Sequence, residues 1–344
     1  MKQQDAPKIV DVARLAGVST ATVSRALSKP ETVAEQTREA VLAAAAETGY
    51  RINLAARNLR RQRTGAVVLL VPNLGNPFFS QILAGIESVL SNNGLSILMV
   101  DTMQSAARPD FILDYLHRSR ADGVISLDGS LPSSLLKTGM QSTDRPPMVF
   151  GCEWLIEGCY PSVRADNEQG TRLAIEHLVS LGHTKIGYIN GPEENVLSKV
   201  RKSSTRSALT DLGLEPRDNW LFPGDFTLEA GASVARQWLK MDDRPSAIFC
   251  ANDEIAFGLI SELHKSSVSV PDQLSVVGYD DIDIAERFIP ALTTVWQPRF
   301  ELGRAVAEML LEGVENRGFG DSTPLKTLPV KLTVRQSTTA PMVQ

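Results

Sequence analysis

The sequence predicts an α/β protein in two parts, a small N-terminal helix-turn-helix headpiece and a two-lobed, doubly wound body. Three observations predict it. Two short helical patterns, broken at Gly17, run from Ile9 to Leu27. The first 64 positions hold eleven Lys/Arg against six Asp/Glu, a net of +5 on a chain whose total is −5. From Ala66 onward, short apolar runs alternate with helical stretches, the pattern of parallel strands wound with helices.

Composition narrows the class. The 344 residues leave room for two or three domains with a sizeable core. A hydrophobic content of 43% and a charged content of 22% are those of a soluble globular protein. No apolar run reaches membrane-spanning length, and the N-terminal MKQQDAPKIVDV lacks the apolar core of a secretory signal. Cys152, Cys159 and Cys250 are an odd set without metal-site spacing, so idle thiols in a reducing cytoplasm are expected. Walker-type, GxGxxG, HExxH and CxxC patterns are missing, and His117, His177, His183 and His264 are scattered. Asp280 and Asp281 are adjacent, but loop neighbours diverge, which disfavours a glycosidase pair. No catalytic residue, metal or cofactor is expected.

In the headpiece, Val12, Leu15, Val18, Val23 and Leu27 fall at helical spacing and are expected to pack the two helices together, with Ser19 capping the second. That leaves Thr20, Ala21 and Arg25 on the outer face, and these with Thr22 are the candidate DNA contacts of the helix. Small or polar residues at a helix start, with an arginine one turn later, suit a DNA major groove, where arginine donates twice to guanine O6 and N7. The plainer reading is an ordinary helical hairpin. A third helix is expected over Glu35–Thr48, stopped by Gly49. Asn53 to Arg63 then combines Leu and Ala with Arg57, Arg60, Arg61 and Arg63. Taken alone it reads as a flexible tether, since an isolated helix this short is marginal in water.

In the body, AVVLLV suits a buried parallel strand, followed by a helix from Phe78 to Ser91, SILMV, another helix and GVISL. The alternation continues through MVF, KIGYI, SAIFC and LSVVGY. Ligands of such folds sit beyond the carboxyl ends of the strands. Asn76, Phe78 and Phe79 follow the first strand, Asn252 and Asp253 follow SAIFC, and Asp280 follows LSVVGY. Phe226 lies in a loop before a helix, and Arg201 at a helix start after NGPEE. Acceptors with one arginine and an aromatic suit a neutral, hydroxyl-rich ligand. The plainer readings are core for Phe78 and Phe79, and caps or turn formers for Asp166, Asn252 and Asp280.

The run DVARLAGVSTATVSRAL resembles the headpiece of the LacI/GalR family of bacterial transcription regulators, and the resemblance covers almost the full length. The length and order of this match argue against an ordinary hairpin. Ala34 stands where the family usually has a serine opening the third helix, a lost cap of about 1 kcal/mol. The resemblance implies a hinge helix that forms on DNA, with Leu59 beside Ala55 and Ala56 wedged into the minor groove and Asn53, Arg57 and Arg60 at the same contact. It implies a body resembling periplasmic sugar-binding proteins, with lobe crossings near Asp166, Leu292 and Lys326. Asp166, Arg201, Phe226, Asn252 and Asp280 align with effector contacts, while Ser204 departs from a common glycine. GPEE, GDFTLEAG, AIFC and LTTVWQPRFELGR are similar to the cytidine-repressor branch, which implies a nucleoside effector, with a sugar as the alternative.

The expected layout is a headpiece over 1–52, a hinge over 53–64 and an effector and dimerisation domain over 65–344. The expected protein is a cytoplasmic, homodimeric repressor on an inverted repeat of operator DNA. A chain ending at Gln344 leaves no room for a leucine-heptad tail of the kind that makes tetramers. The competing class is a solute-binding protein whose helical extension has no DNA role; the missing signal sequence and the basic headpiece argue against it.

Overall fold

The computed structural model describes residues 7–51, 63–105, 120–131, 145–155, 160–320 and 322–342. Asn53, Ala56, Arg57, Leu59 and Arg60 lie outside the described residues, as do Cys159 and most of the segment where a helix between SILMV and GVISL was expected. The chain divides into two compact units at Gly65 and Ala66.

Among the described residues, the first unit has three α-helices, α1 (Ile9–Leu15), α2 (Thr20–Ser28) and α3 (Glu35–Thr48). Gly17 sits at φ 66°, the left-handed turn a side chain resists, and so breaks α1 from α2. Ser19 caps α2, its Oγ accepting from Thr22 N at 3.1 Å. Ala34 makes no side-chain cap at the start of α3, which ends at Gly49 with φ 69°. Val12, Ala13, Val23, Ala26, Val41 and Ala44 form the core, with Val18 and Leu27 half-buried against it. Leu15 corrects the expectation, being 49% exposed. It is the last residue of a seven-residue helix, and Ala13 is buried against the other helices instead.

The described residues of the second unit form two six-stranded sheets. Lobe 1 contains β1 (Ala66–Val71), β2 (Ser96–Asp101), β3 (Gly123–Ser126), β4 (Met148–Gly151), β5 (Ser162–Ala165) and β11 (Leu325–Leu328), in the order β11-β5-β4-β3-β1-β2. Lobe 2 contains β6 (Ile186–Ile189), β7 (Leu221–Phe222), β8 (Ala247–Cys250), β9 (Ser275–Asp280), β10 (Thr293–Trp296) and β12 (Lys331–Thr333), in the order β12-β10-β9-β8-β6-β7. The pairing is parallel throughout lobe 1, but β12 runs antiparallel to β10, so the second sheet is mixed.

The described helices of this unit longer than one turn are α4 (Phe78–Asn92), α5 (Asn167–Ser180), α6 (Val196–Asp211), α7 (Leu228–Trp238), α8 (Asp253–Lys265) and α9 (Arg299–Glu315). Helix α6 runs unbroken through Ser204. Two helix pairs approach through glycines. A methyl group on Gly85 of α4 would strike the Phe300 carbonyl oxygen of α9, and one on Gly303 would strike Ile82. Gly231 of α7 and Gly258 of α8 stand in the same relation to Ile255 and Leu228. Such contacts bring backbones close enough for dense packing, which a side chain would prevent.

The chain passes between lobes after Ala165, between Trp296 and Arg299, and between Leu328 and Lys331. The second and third passages lie a few residues beyond the expected Leu292 and Lys326. Leu292 is fully buried in lobe 2 just before β10, and Lys326 is still paired with Val163. The run KTLPVKLTV is two strands in different sheets, separated at Pro329, whose missing N–H cannot extend a ladder.

Candidate functional site

In the headpiece, the small and polar residues at the start of α2 fall on the side away from Val23 and Ala26. Thr20, Ala21 and Arg25 are exposed. Thr22 is half-buried and tied to the cap, its hydroxyl 2.9 Å from that of Ser19. This face offers a guanidinium and small polar groups, the chemistry expected of a base-reading helix.

In the second unit, a cavity of about 510 Å³ opens between the lobes at the carboxyl ends of the strands. Lobe 1 contributes Asn76, Phe78 and Phe79 after β1, Met103 after β2, Asp128 after β3, and Cys152 and Glu153 after β4. Lobe 2 contributes Glu194, Asn195 and Arg201 after β6, Asp225 to Glu229 after β7, Asn252 and Glu254 around the start of α8, and Asp280 ending β9. Parallel strands place their carboxyl ends on one side of each sheet, so residues distant in sequence converge.

Arg201 is the centre of lobe 2's wall. Only 2% of it is exposed. Its Nε donates to Asn167 Oδ1 at 2.9 Å, Nη1 donates to the Ala251 carbonyl, and the guanidinium lies 3.6 Å above the Tyr279 ring. Nη2 is buried with no hydrogen-bond partner. A buried donor left unpaired is costly, so this atom marks where a ligand acceptor belongs. Asp280 lies beside it, with 4.0 Å between Nη1 and Oδ1, and accepts from Gln297 Nε2 at 2.7 Å. Burial pushes the Asp280 carboxyl up to about 7 despite the opposing pull of Arg201 and Arg299. Its φ is 116°, a strained conformation that fixes the carboxylate at the strand end. The neighbouring Asp253 is fully buried and also pushed well up, by desolvation and then by Asp280.

Lobe 1 answers with Glu153 and Asp128. Glu153 Oε2 accepts from Gly129 N, and Oε1 accepts from Asn195 Nδ2 of lobe 2, both at 2.9 Å. Desolvation raises its carboxyl to about 7, against the hydrogen bond from Gly129. Asp128 accepts from Ser130 N at 2.7 Å and from the Thr102 and Ser130 hydroxyls. Burial, then the charge of Glu153, raises the Cys152 thiol well above its ordinary range, which keeps it protonated and unreactive.

The cleft brings together Phe78, Arg201, Phe226, Asn252 and Asp280. It does not include Asp166, whose Oδ1 caps α5 by accepting from Gln169 N at 3.0 Å. Asp166 faces a separate groove with Ser203, Ser204 and Ser207. Asn252 has a structural use as well: it caps α8 and donates to the Phe226 carbonyl at 3.1 Å, holding that residue at φ 66°. Phe78 and Phe79 are both core and wall, each 6% exposed and meeting edge to face. Sequence reasoning missed Asp128, Glu153 and Asn195. The strand-end rule that finds Asp280 also finds the first two, since Asp128 follows GVISL directly and Glu153 lies three residues after MVF.

Comparison with known proteins agrees with both halves. Residues 8–53 match the profile "Bacterial regulatory proteins, lacI family", and residues 175–338 match a periplasmic binding protein-like domain. The chain is similar to the HTH-type transcriptional repressor PurR of Photobacterium profundum, at 36% identity over 90% of this chain and 92% of the relative. It is similar to the HTH-type transcriptional repressor CytR of Escherichia coli, at 35% identity over 98% of each chain. Among solved structures, the lac repressor dimer bound to operator and the anti-inducer ONPF aligns with a TM-score of 0.80 at 29% identity, over 98% of this chain and 100% of that one. A regulator from Enterococcus faecium with bound ribose aligns at 0.70 and 31% identity, over 80% of this chain and 99% of that one. An N-terminal helix-turn-helix joined to a two-lobed α/β body, with full-length relatives at this identity, places the chain in the LacI family of bacterial transcription regulators.

Proposed function

We propose that the chain is a cytoplasmic, homodimeric repressor, not an enzyme, and that a small effector in the cleft adjusts its grip on an inverted-repeat operator. Thr20, Ala21, Thr22 and Arg25 are assigned to the major groove. Asn53, Ala56, Arg57, Leu59 and Arg60 are assigned to the hinge contact in the minor groove. The effector is a nucleoside, with a sugar as the second reading, and controls genes for its uptake or breakdown.

The observation that carries the effector assignment is the buried, unpartnered Nη2 of Arg201 beside Asp280. An acceptor for that donor, hydroxyls for the carboxylates and an aromatic wall at Phe78 and Phe226 describe a ribosyl or glycosyl compound. The ribose held by the Enterococcus faecium relative supports the sugar portion. The sequence likeness to the cytidine-repressor branch supports the base.

A thermal-shift panel of nucleosides, nucleobases and sugars on the purified protein tests the effector. A ligand at a hundred times its dissociation constant stabilises by about 2.7 kcal/mol, which is readily seen. Stabilisation by sugars alone removes the nucleoside reading. Fluorescence anisotropy with operator-like and random duplexes tests the repressor reading, and equal affinity for both sinks it in favour of a solute-binding protein.

A further inference from the structure

We infer that the cleft selects an unphosphorylated ligand, accepting a neutral or cationic polyhydroxyl compound and rejecting the phosphate ester of that compound. This rests on the reading of the cleft as an effector site, and not on the choice of nucleoside over sugar.

The charge census comes first. Seven carboxylates stand among the described lining residues, against a single guanidinium, Arg201. Glu194 and Glu229 are neutralised from outside by Lys199 and Arg236. Asp128, Glu153, Asp225, Glu254 and Asp280 remain facing one cation. Protonation of Glu153 and Asp280 near neutrality reduces this excess without reversing it.

The cation cannot serve a phosphate. Nε and one N–H of Nη1 of Arg201 are taken by Asn167 and Ala251, and its face by Tyr279. Nη2 has no partner, but Nη1, the other prong of a forked grip, lies 4.0 Å from Asp280 Oδ1, so a phosphate held by both would sit against that carboxyl.

Helix N-termini are the other common phosphate cradle. Among the described residues, four of the helices that start at the cleft carry a side-chain acceptor from the chain itself. Asn76 Oδ1 accepts from Phe78 N at α4, and Asn195 Oδ1 from Leu197 N and Ser198 N at α6. Thr227 Oγ1 accepts from Ala230 N at α7, and Asn252 Oδ1 from Ile255 N at α8. Glu254, in the first turn of α8 and lining the cavity, adds negative charge where an anion would dock. A site can exclude a competitor by placing like charges against it, and this one does so at the start of α8.

Isothermal titration at pH 7.5 with matched pairs tests the inference: cytidine and its 5′-monophosphate, adenosine and its 5′-monophosphate, ribose and ribose 5-phosphate, glucose and glucose 6-phosphate. For each parent that binds, the ester is expected to bind at least roughly 100-fold more weakly. Glu254→Gln is expected to narrow that ratio roughly tenfold, since it removes one of the opposing charges. An ester that matches or exceeds its parent overturns the inference, as does a panel in which no parent binds at millimolar concentration. If only sugars bind and their esters are refused, the nucleoside reading fails while the selection against phosphate stands.

Discussion

Glu153 of lobe 1 and Asn195 of lobe 2 are joined across the cleft by a 2.9 Å hydrogen bond, and the same asparagine caps α6. One side chain therefore anchors a helix of one lobe and a buried carboxyl of the other. A ligand that changes the separation of the lobes must also act on this bond.

Glu153 makes stability depend on pH in a known direction. Its folded-state pKa of about 7 is raised above the usual 4.5 by desolvation. The folded chain thus holds a proton that the unfolded chain has released, and the stabilisation, full below about pH 4.5, is lost as pH rises through 7. A shift of this size corresponds to an upper bound on the order of 3 kcal/mol. Melting curves from pH 5 to 8 are expected to fall more steeply for wild type than for Glu153→Gln. Parallel curves remove Glu153 as the source.

Asp280→Asn is expected to weaken effector binding by about one to two orders of magnitude, as for a charged hydrogen-bond partner lost in a buried site. Asparagine is chosen because the position has φ 116°, which an alanine would meet with more strain. Operator affinity without ligand is expected to stay near wild type, measured by anisotropy. Normal effector response in this variant removes Asp280 from the site.

Arg25→Ala is expected to erase about 1–3 kcal/mol of the preference for operator over random DNA. Its exposed place on α2 leaves the headpiece core untouched, so the melting temperature is expected not to move. Intact specificity in a competition titration requires a different reading face.

Gly85→Ala drives a methyl group into the Phe300 backbone, which no rotamer change relieves. Overpacking of this kind costs about 1–3 kcal/mol, and more where backbone must move. A urea midpoint equal to wild type means that α4 and α9 separate more easily than their packing indicates.

Legibility in the sequence followed the physics of each signal. The headpiece helices and the strands AVVLLV, SAIFC and LSVVGY are legible because burial on one or both faces imposes apolar periodicity. Leu15 misleads because a helix of seven residues is too short for period alone to choose its inner face. β5 (SVRA) and β7 are polar or two residues long, so no apolar run announces them. Asp280 and Arg201 are legible from strand ends and from likeness. Asp166 and Asn252 show the opposite limit, since the residue types that meet ligands are also those that cap helices. The Glu153–Asn195 bond cannot be read from either segment, because it depends on how two separately wound sheets face each other.

The three chain passages between the lobes, combined with the glycine-locked helix pairs, have a mechanical consequence. One connection would act as a swivel, and two as an axle about which the halves turn freely. Three near-adjacent connections between stiff bodies oppose sliding and torsion, leaving mainly a bend about their common line. The cleft then behaves as a lever with few ways to move, so a ligand's preference is transmitted as an angle instead of being dissipated as looseness.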